Sequence, residues 1–290
     1  MIGRFNKPDS RFGTEISTRP AVISVLSGKG GVGKSVISYN LAHAAALDDK
    51  RTLLIDADWN FGNLHIFGNV SPESTLADVA DGKVSLSDAA TVINNNLRLI
   101  ASPAAHEIDR DFDREAASRM FAALREMAAE YDFVIIDSSP AILDLLCDIA
   151  GISDLSLLAA IPELTSIADT YGLFKYLTGK IGAINAGVIV NRTESPNDGE
   201  YIITKLSQLT EKFLQLPLLG GFYLPDNRHV RKSVELQKPV LIAAPDSEIS
   251  KSLLNMYNVL QQNMIVKSDN RRVIKPANIN EETIEADIKE

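Results

Sequence analysis

A single cysteine, Cys147, stands in 290 residues, and that scarcity removes several protein classes at once. One thiol cannot build a disulfide framework, a thiolate zinc site, or the paired cysteines of iron–sulfur carriers. Its neighbours Leu145 and Leu146 read it instead as a small core residue. Long hydrophobic runs are missing too. No stretch approaches the roughly 18 apolar residues of a membrane span, and residues 1–20 hold no apolar signal core. The expectation is a cytoplasmic protein. Positive charge is in deficit, with 29 Lys and Arg against 38 Asp and Glu and a formal charge of −9. That balance argues against a chain whose main business is coating nucleic acid.

What is present begins with an apolar run, Ala21 to Leu26, followed by Ser27-Gly28-Lys29-Gly30-Gly31-Val32-Gly33-Lys34-Ser35. The spacing Gly28-x4-Gly33-Lys34-Ser35 is the Walker A pattern, and a segment of helical periodicity follows it. Glycines let the backbone curl so that successive N–H groups face phosphate oxygens, and the helix N-terminus adds partial positive charge. Gly28, Gly30, Gly31, Val32, Gly33, Lys34, Ser35 and Val36 are therefore the candidate contacts for a nucleoside triphosphate. Lys34 is expected to reach the β- and γ-phosphates, and the Ser35 hydroxyl to ligate Mg²⁺.

Two further strand ends carry acids. Thr52 to Ile55 reads as a buried strand and runs into Asp56-Ala57-Asp58, leading on to Gly62-Asn63. In a parallel sheet the carboxyl ends of the strands line the ligand crevice, so both carboxylates fall where phosphate and metal sit. One can hold the loop or the metal's water shell, and the other can orient the attacking water. Tyr131 to Asp137 has the Walker B form, placing Asp137 beside Ser35 as a magnesium ligand, with Ser138-Ser139-Pro140 as a γ-phosphate sensor. Asn191-Arg192 follows the apolar run Ala186 to Val190. An Asn amide there can address adenine and an Arg plane can stack on it, although a strand-end turn has the same composition.

The remaining pattern supplies the scaffold. Helices are expected at Ser35–Leu47, over 109–131, at Ser166–Leu177 and at Ser247–Met264, the last as a core-packing rather than interfacial element. Leu76–Ala80 and Ser85–Ala90 read as short helices, and Asn96–Ile100, Leu155–Ala160 and Leu218–Tyr223 as strands. Val230, Val234 and Leu236 suit another helix, with Arg228, Arg231 and Lys232 exposed on it. The alternation implies an α/β fold of P-loop NTPase type, a mostly parallel twisted sheet of about seven or eight strands with helices on both faces. Residues 1–20 are expected to form a flexible arm, 21–264 the ATPase domain, and 265–290 an acidic, disordered tail.

The loop Gly28 to Ser35 resembles the deviant Walker A box of the MinD/ParA family, whose mark is a lysine directly after the first glycine. Asp56-Ala57-Asp58, Asp137, Asn191-Arg192 and the stretch from Leu224-Pro225-Asp226 to Pro239-Val240 resemble successive landmarks of that family over roughly residues 20–262. The resemblance implies a slow, partner-stimulated ATPase that dimerises around ATP. Lys29 would then act across the dimer on the partner's phosphates, Asp58 would position the hydrolytic water, and Asp56 would support the loop and metal. Supplied in trans, such a cation makes hydrolysis and dissociation one timer. Within the family the pattern is closer to MinD-like regulators of flagellar number and placement, the FlhG type, than to plasmid ParA. The implied role is spatial control of a flagellum or division site, peripheral to the membrane or the pole. Chromosome or plasmid partitioning on DNA is the alternative. Bacterial tyrosine kinases share the loop but carry a tyrosine-rich tail, whereas the last tyrosine here is Tyr257. The acidic end from Glu281 to Glu290 departs from the basic membrane helix of MinD and would be repelled by anionic lipid.

Overall fold

The apolar runs become the inner strands of one sheet. In the computed structural model, which describes residues 20–59, 62–103 and 114–268, β1 (Ala21–Leu26), β2 (Thr52–Ala57), β5 (Phe133–Ser138) and β6 (Leu155–Ala160) are buried almost throughout. Strands covered on both faces need no polar alternation, which is why they read as continuous hydrophobic runs. With β3 (Thr91–Asn94), β4 (Leu97–Ile100), β7 (Ala186–Thr193) and β8 (Gly221–Pro225) they form an eight-stranded sheet ordered β3-β4-β2-β5-β1-β6-β7-β8. Only the edge pair β3–β4 is antiparallel. The carboxyl ends of β1, β2, β5, β6 and β7 consequently open on one edge.

Helices cover both faces. They are α1 (Lys34–Leu47), α2 (Leu64–Phe67), α3 (Leu76–Ala80), α4 (Leu86–Ala89), α5 (Arg114–Met127) and α6 (Leu143–Ile152). There follow α7 (Leu164–Ile181), α8 (Pro196–Leu214), α9 (Arg228–Glu235), α10 (Val240–Ala243) and α11 (Glu248–Ser268). One core lies under α5, α6, α7 and α8, with Phe121 and Phe174 among its fully buried side chains. The other lies under α1 and α11, where Ile37, Leu41, Leu253, Met256 and Leu260 are 1% exposed. Each such side chain contributes about 1.5–3 kcal/mol by leaving water, so α11 packs on the core as expected. Cys147, on α6, is buried in the first of these cores.

Several boundaries differ from the expectation for identifiable reasons. The helix expected over 109–131 is described from Arg114 to Met127 and tightens into a single 3₁₀ turn, Ala128–Glu130. The last strand sits at Gly221–Pro225 rather than Leu218–Tyr223, so Leu224 and Pro225 belong to it instead of to a turn. Sequence reading placed neither α6 nor α8. The α6 sequence is apolar on most sides and shows no stripe, whereas α8 is signalled both by its Ser195–Asp198 capping box with Pro196 in the first turn and by Ile202, Ile203 and Leu206, which return to one buried face. The expected arm over 1–20 and tail over 265–290 lie outside the described residues, apart from Pro20 and the last turn of α11 to Ser268.

Candidate functional site

The loop after β1 leads directly into α1, and its conformation is one that glycine permits. Gly31 and Gly33 have φ of 75° and 95°, the left-handed region where side chains are costly. Gly28, Gly30 and Gly31 are exposed at the loop, while Val32 is fully buried and anchors it. Lys34, the first residue of α1, is 8% exposed, and its Nζ donates to Ser27 Oγ at 2.9 Å. Burial pulls the Lys34 ammonium below its ordinary pKa, opposed by the nearby charges of Asp137 and Asp58. That is the balance expected of a cation awaiting an anionic ligand. Lys29 behaves differently. Its Nζ lies 2.7 Å from Glu163 Oε2 and 3.5 Å from Thr165 Oγ1, at the start of α7, with its side chain 37% exposed. The two loop lysines therefore point to different places, Lys34 into its own loop and Lys29 outward.

The acids assemble beside Lys34. Asp56 and Asp137 occupy paired register positions on adjacent strands β2 and β5, and they are 0% and 1% exposed. Ser35 and Ser38, one turn apart on α1, both hydrogen-bond Asp137, the Ser38 bond being 3.2 Å. Asp56 accepts from the backbone N–H of Asp58 at 3.2 Å and of Leu64 at 3.0 Å. It thus holds the backbone of Asp58 and the first residue of α2 directly. Burial first, then the Asp137 charge, pushes the Asp56 carboxyl up to about 8, and burial likewise raises Asp137 to about 6. Asp58 is half-buried and close enough to Lys34 to raise its pKa. Ser138, expected within a γ-phosphate sensor, is the last residue of β5, and its hydroxyl donates to Val25 O at 2.9 Å, tying β5 to β1.

Two wholly buried carboxyls with raised pKa values fit a divalent cation, which would remove the cost of ionising them side by side. Among the described residues no group of three or more His, Cys, Asp or Glu could hold a metal by itself. Ser35 and Asp137 supply a partial oxygen set, the form in which Mg²⁺ is held when phosphates and water complete its shell. Asn191 and Arg192 differ from expectation in one respect: they lie within β7 rather than after it, where the β7–β8 register shifts between Val190 and Thr193 and Arg192 takes φ of 58°. Both line a cleft with Gly33, Val36, Pro225 and Val230. The structure therefore brings the whole predicted set to one edge of the sheet, with Lys29 turned aside.

Sequence reading missed Ser27, Ser38, Glu163 and Thr165. Ser38 could have been found from its spacing to Ser35, since three residues along a helix return to the same face. Glu163 could have been found by the argument used for Asp56, as an acid just beyond a buried strand. Ser27 had no signal beyond its place in the loop.

A parallel sheet with a glycine loop feeding a helix, a buried lysine and paired strand-end acids defines a P-loop ATPase. More narrowly, the chain belongs to the CobQ/CobB/MinD/ParA nucleotide-binding domain family, whose model matches residues 23–240. It is 31% identical over 229 residues to the antiactivator FleN of Pseudomonas aeruginosa, covering 79% of this chain and 82% of that one. The flagellum site-determining protein YlxH of Helicobacter pylori is 24% identical over 256 residues, covering 87% and 85%. In fold, the chain matches the septum site-determining protein MinD of Pyrococcus horikoshii, solved with Mg-ADP, at a TM-score of 0.70. That match has 22% identity and covers 86% of this chain and 98% of the other.

Proposed function

We propose that the protein is an ATP-driven dimerisation switch that controls the placement or number of a cellular assembly, flagellar or division-related. The observation that carries this reading is the division of labour between the loop lysines. Lys34 is buried and engaged inside its own loop, whereas Lys29 leaves the loop and is held at the surface by Glu163. A lysine that its own chain does not use at the phosphates is available to a second chain. The named relatives, an antiactivator and a flagellum site-determining protein, favour a regulatory output over a metabolic product.

The residues then divide the chemistry. Backbone N–H groups from Gly28 to Ser35 and the Lys34 ammonium bind the triphosphate, and Val36 with Asn191 and Arg192 borders the base end of the cleft. Ser35 and Asp137 would hold Mg²⁺, and Asp56, which accepts from the backbone N–H groups of Asp58 and Leu64, supports the metal end. Mg²⁺, when bound, neutralises charge on the phosphate oxygens. Asp58 orients water, and Lys29 of the second copy stabilises charge developing on the phosphate. Hydrolysis removes the group that holds the two copies together. An activating protein partner sets the rate, and the protein works in the cytoplasm, peripherally at the membrane or pole. Leu253, Met256 and Leu260 of α11 pack on the core, which favours a packing role for that helix over a membrane anchor.

Lys29→Ala tests the reading. The variant keeps ATP binding within about threefold, because the Lys29–Glu163 pair is largely exposed and its loss costs under ~1 kcal/mol. It loses the ATP-dependent dimer in light scattering after size exclusion. A Lys29→Ala protein that still dimerises with ATP removes the mechanism.

A further inference from the structure

We infer that Asn191 is a positioning residue that braces the phosphate loop, acting on the triphosphate cradle and not only at the base. The inference rests on the nucleotide reading above and adds to it a bond between two distant parts of the chain. Asn191 Nδ2 donates to the backbone carbonyl of Val32 at 2.8 Å, across 159 residues of sequence. Only the amide nitrogen can donate to a carbonyl, so the bond also fixes which way the amide faces. Its target is the residue before Gly33, at the point where the loop turns into α1.

Two independent features build this contact. A Cβ on Gly33 would run into the Asn191 amide, so the loop closes against that side chain with no room between them. On the other side, β7 is irregular where Asn191 sits. The β7–β8 register shifts between Val190 and Thr193, and Arg192 adopts φ of 58°, a conformation costing a non-glycine residue on the order of 1 kcal/mol. The pairing resumes at once: Thr193 Oγ1 donates to Leu224 O at 3.2 Å, and Asp226 N donates to Thr193 O at 2.9 Å. Such a bulge re-aims one side chain out of the regular pleat. Here the irregularity falls at the residue whose side chain reaches the loop.

Bracing has a consequence that base reading lacks. A loop held in shape before ligand arrives loses less freedom on binding, and that gain applies to any ligand that fills the phosphate cradle. A residue that reads adenine affects only ligands with a base. Inorganic tripolyphosphate, which has no base, separates the two. Affinities for Mg-ATP and Mg-tripolyphosphate are measured by calorimetry on the full chain, on Asn191→Ala, and on Asn191→Ser, whose hydroxyl is too short to reach Val32. Unliganded thermal midpoints confirm that each variant is folded. The expected result is a loss of about fivefold in tripolyphosphate affinity in both variants, the scale of one neutral hydrogen bond, with ATP affinity falling at least as far. Loss confined to ATP, or no loss for either ligand, overturns the inference. If the unaltered protein binds neither ligand, the nucleotide reading fails and this inference fails with it.

Discussion

Gly33→Ala puts the geometry of the loop to a quantitative test. Gly33 caps α1 with φ of 95° and ψ of 21°, and an L-residue held there costs about 1–2 kcal/mol. The new methyl also meets the Asn191 amide, so the bond from Asn191 to Val32 must stretch or break. That loss adds about 1 kcal/mol, for a total near 2–3 kcal/mol. A domain stable by about 5–15 kcal/mol survives it. If the loop keeps its shape, the cost appears as lower stability of the unliganded protein. If the loop relaxes, the cost appears as weaker binding, about 30- to 150-fold. Thermal unfolding with and without Mg-ATP reads both. At 100 times the dissociation constant of the unaltered protein, ATP stabilises that protein by about 2.7 kcal/mol, a rise of roughly 5–10 °C. In a fully relaxed Gly33→Ala the same ATP concentration yields under about 1 kcal/mol. A variant with an unchanged unliganded midpoint and the full ATP-induced rise refutes the loop geometry and the contact with Asn191.

Asp58→Ala should lower ATP turnover by on the order of a hundredfold, as expected for loss of the residue that orients water, while ATP binding persists and the ATP-bound dimer accumulates in light scattering; unchanged turnover removes Asp58 from the chemistry. His43 gives a pH prediction. It is 4% exposed on α1, packed edge-on against Tyr39 at 4.5 Å, with Nε2 unpartnered among the described residues, and burial lowers its pKa to about 4. The unfolded chain takes up this proton near pH 6.5 and the folded protein only near 4, so the stability that neutral His43 contributes is full above pH 6.5 and declines as pH falls towards 4. The raised carboxyls of Asp56 and Asp137 act in the opposite sense, gaining stability as pH falls over the same range. His43 is therefore read by difference: in urea denaturation the change from pH 7 to pH 5 should be about 2 kcal/mol more favourable in His43→Leu than in the unaltered protein; an equal change in the two removes His43 from the account.

The sheet was legible because burial on both faces makes its strands unbroken apolar runs, as in Leu53-Leu54-Ile55 and Val134-Ile135-Ile136. Motif spacing then located the site, since a phosphate loop and two strand-end acids fall at one edge once the strands are parallel. What the spacing could not convey is side-chain direction. Lys29 and Lys34 are five residues apart in one motif, yet one is buried against Ser27 and the other bonds Glu163 at the head of α7. That difference depends on α7 being placed beside the loop, a contact between segments 134 residues apart. The bulge at Asn191 was hidden for a similar reason. Its cause lies in the pairing of β7 with β8, which nothing in residues 186–193 announces. Local sequence sets element type, whereas the aim of a side chain is decided by whichever distant element packs against it.

A switch must also carry its state away from the phosphates, and the hydrogen bonds around α2 and α10 provide the physical link. Asp56 Oδ2 accepts from Leu64 N, so the start of α2 is fixed to the carboxylate that pairs in register with Asp137. The carbonyl of Ile66 in that same short helix accepts from Gln237 Nε2 at 2.9 Å, and Gln237 sits just beyond α9 with φ of 51°. From the other side, Asn40 on α1 donates to Val36 O at 2.9 Å and accepts from Val240 N at 2.8 Å, where α10 begins. The segment from Gln237 to Val240 is thus tied both to the acid side of the site and to the helix that carries the phosphate loop. These bonds lie between 2.8 and 3.0 Å, and such a bond is gone by about 3.6 Å. A displacement of well under one ångström at α2 must therefore either break the Gln237 contact or move the segment after α9 with it. Discrete making and breaking of this kind turns a small change at a ligand into one of two surface arrangements.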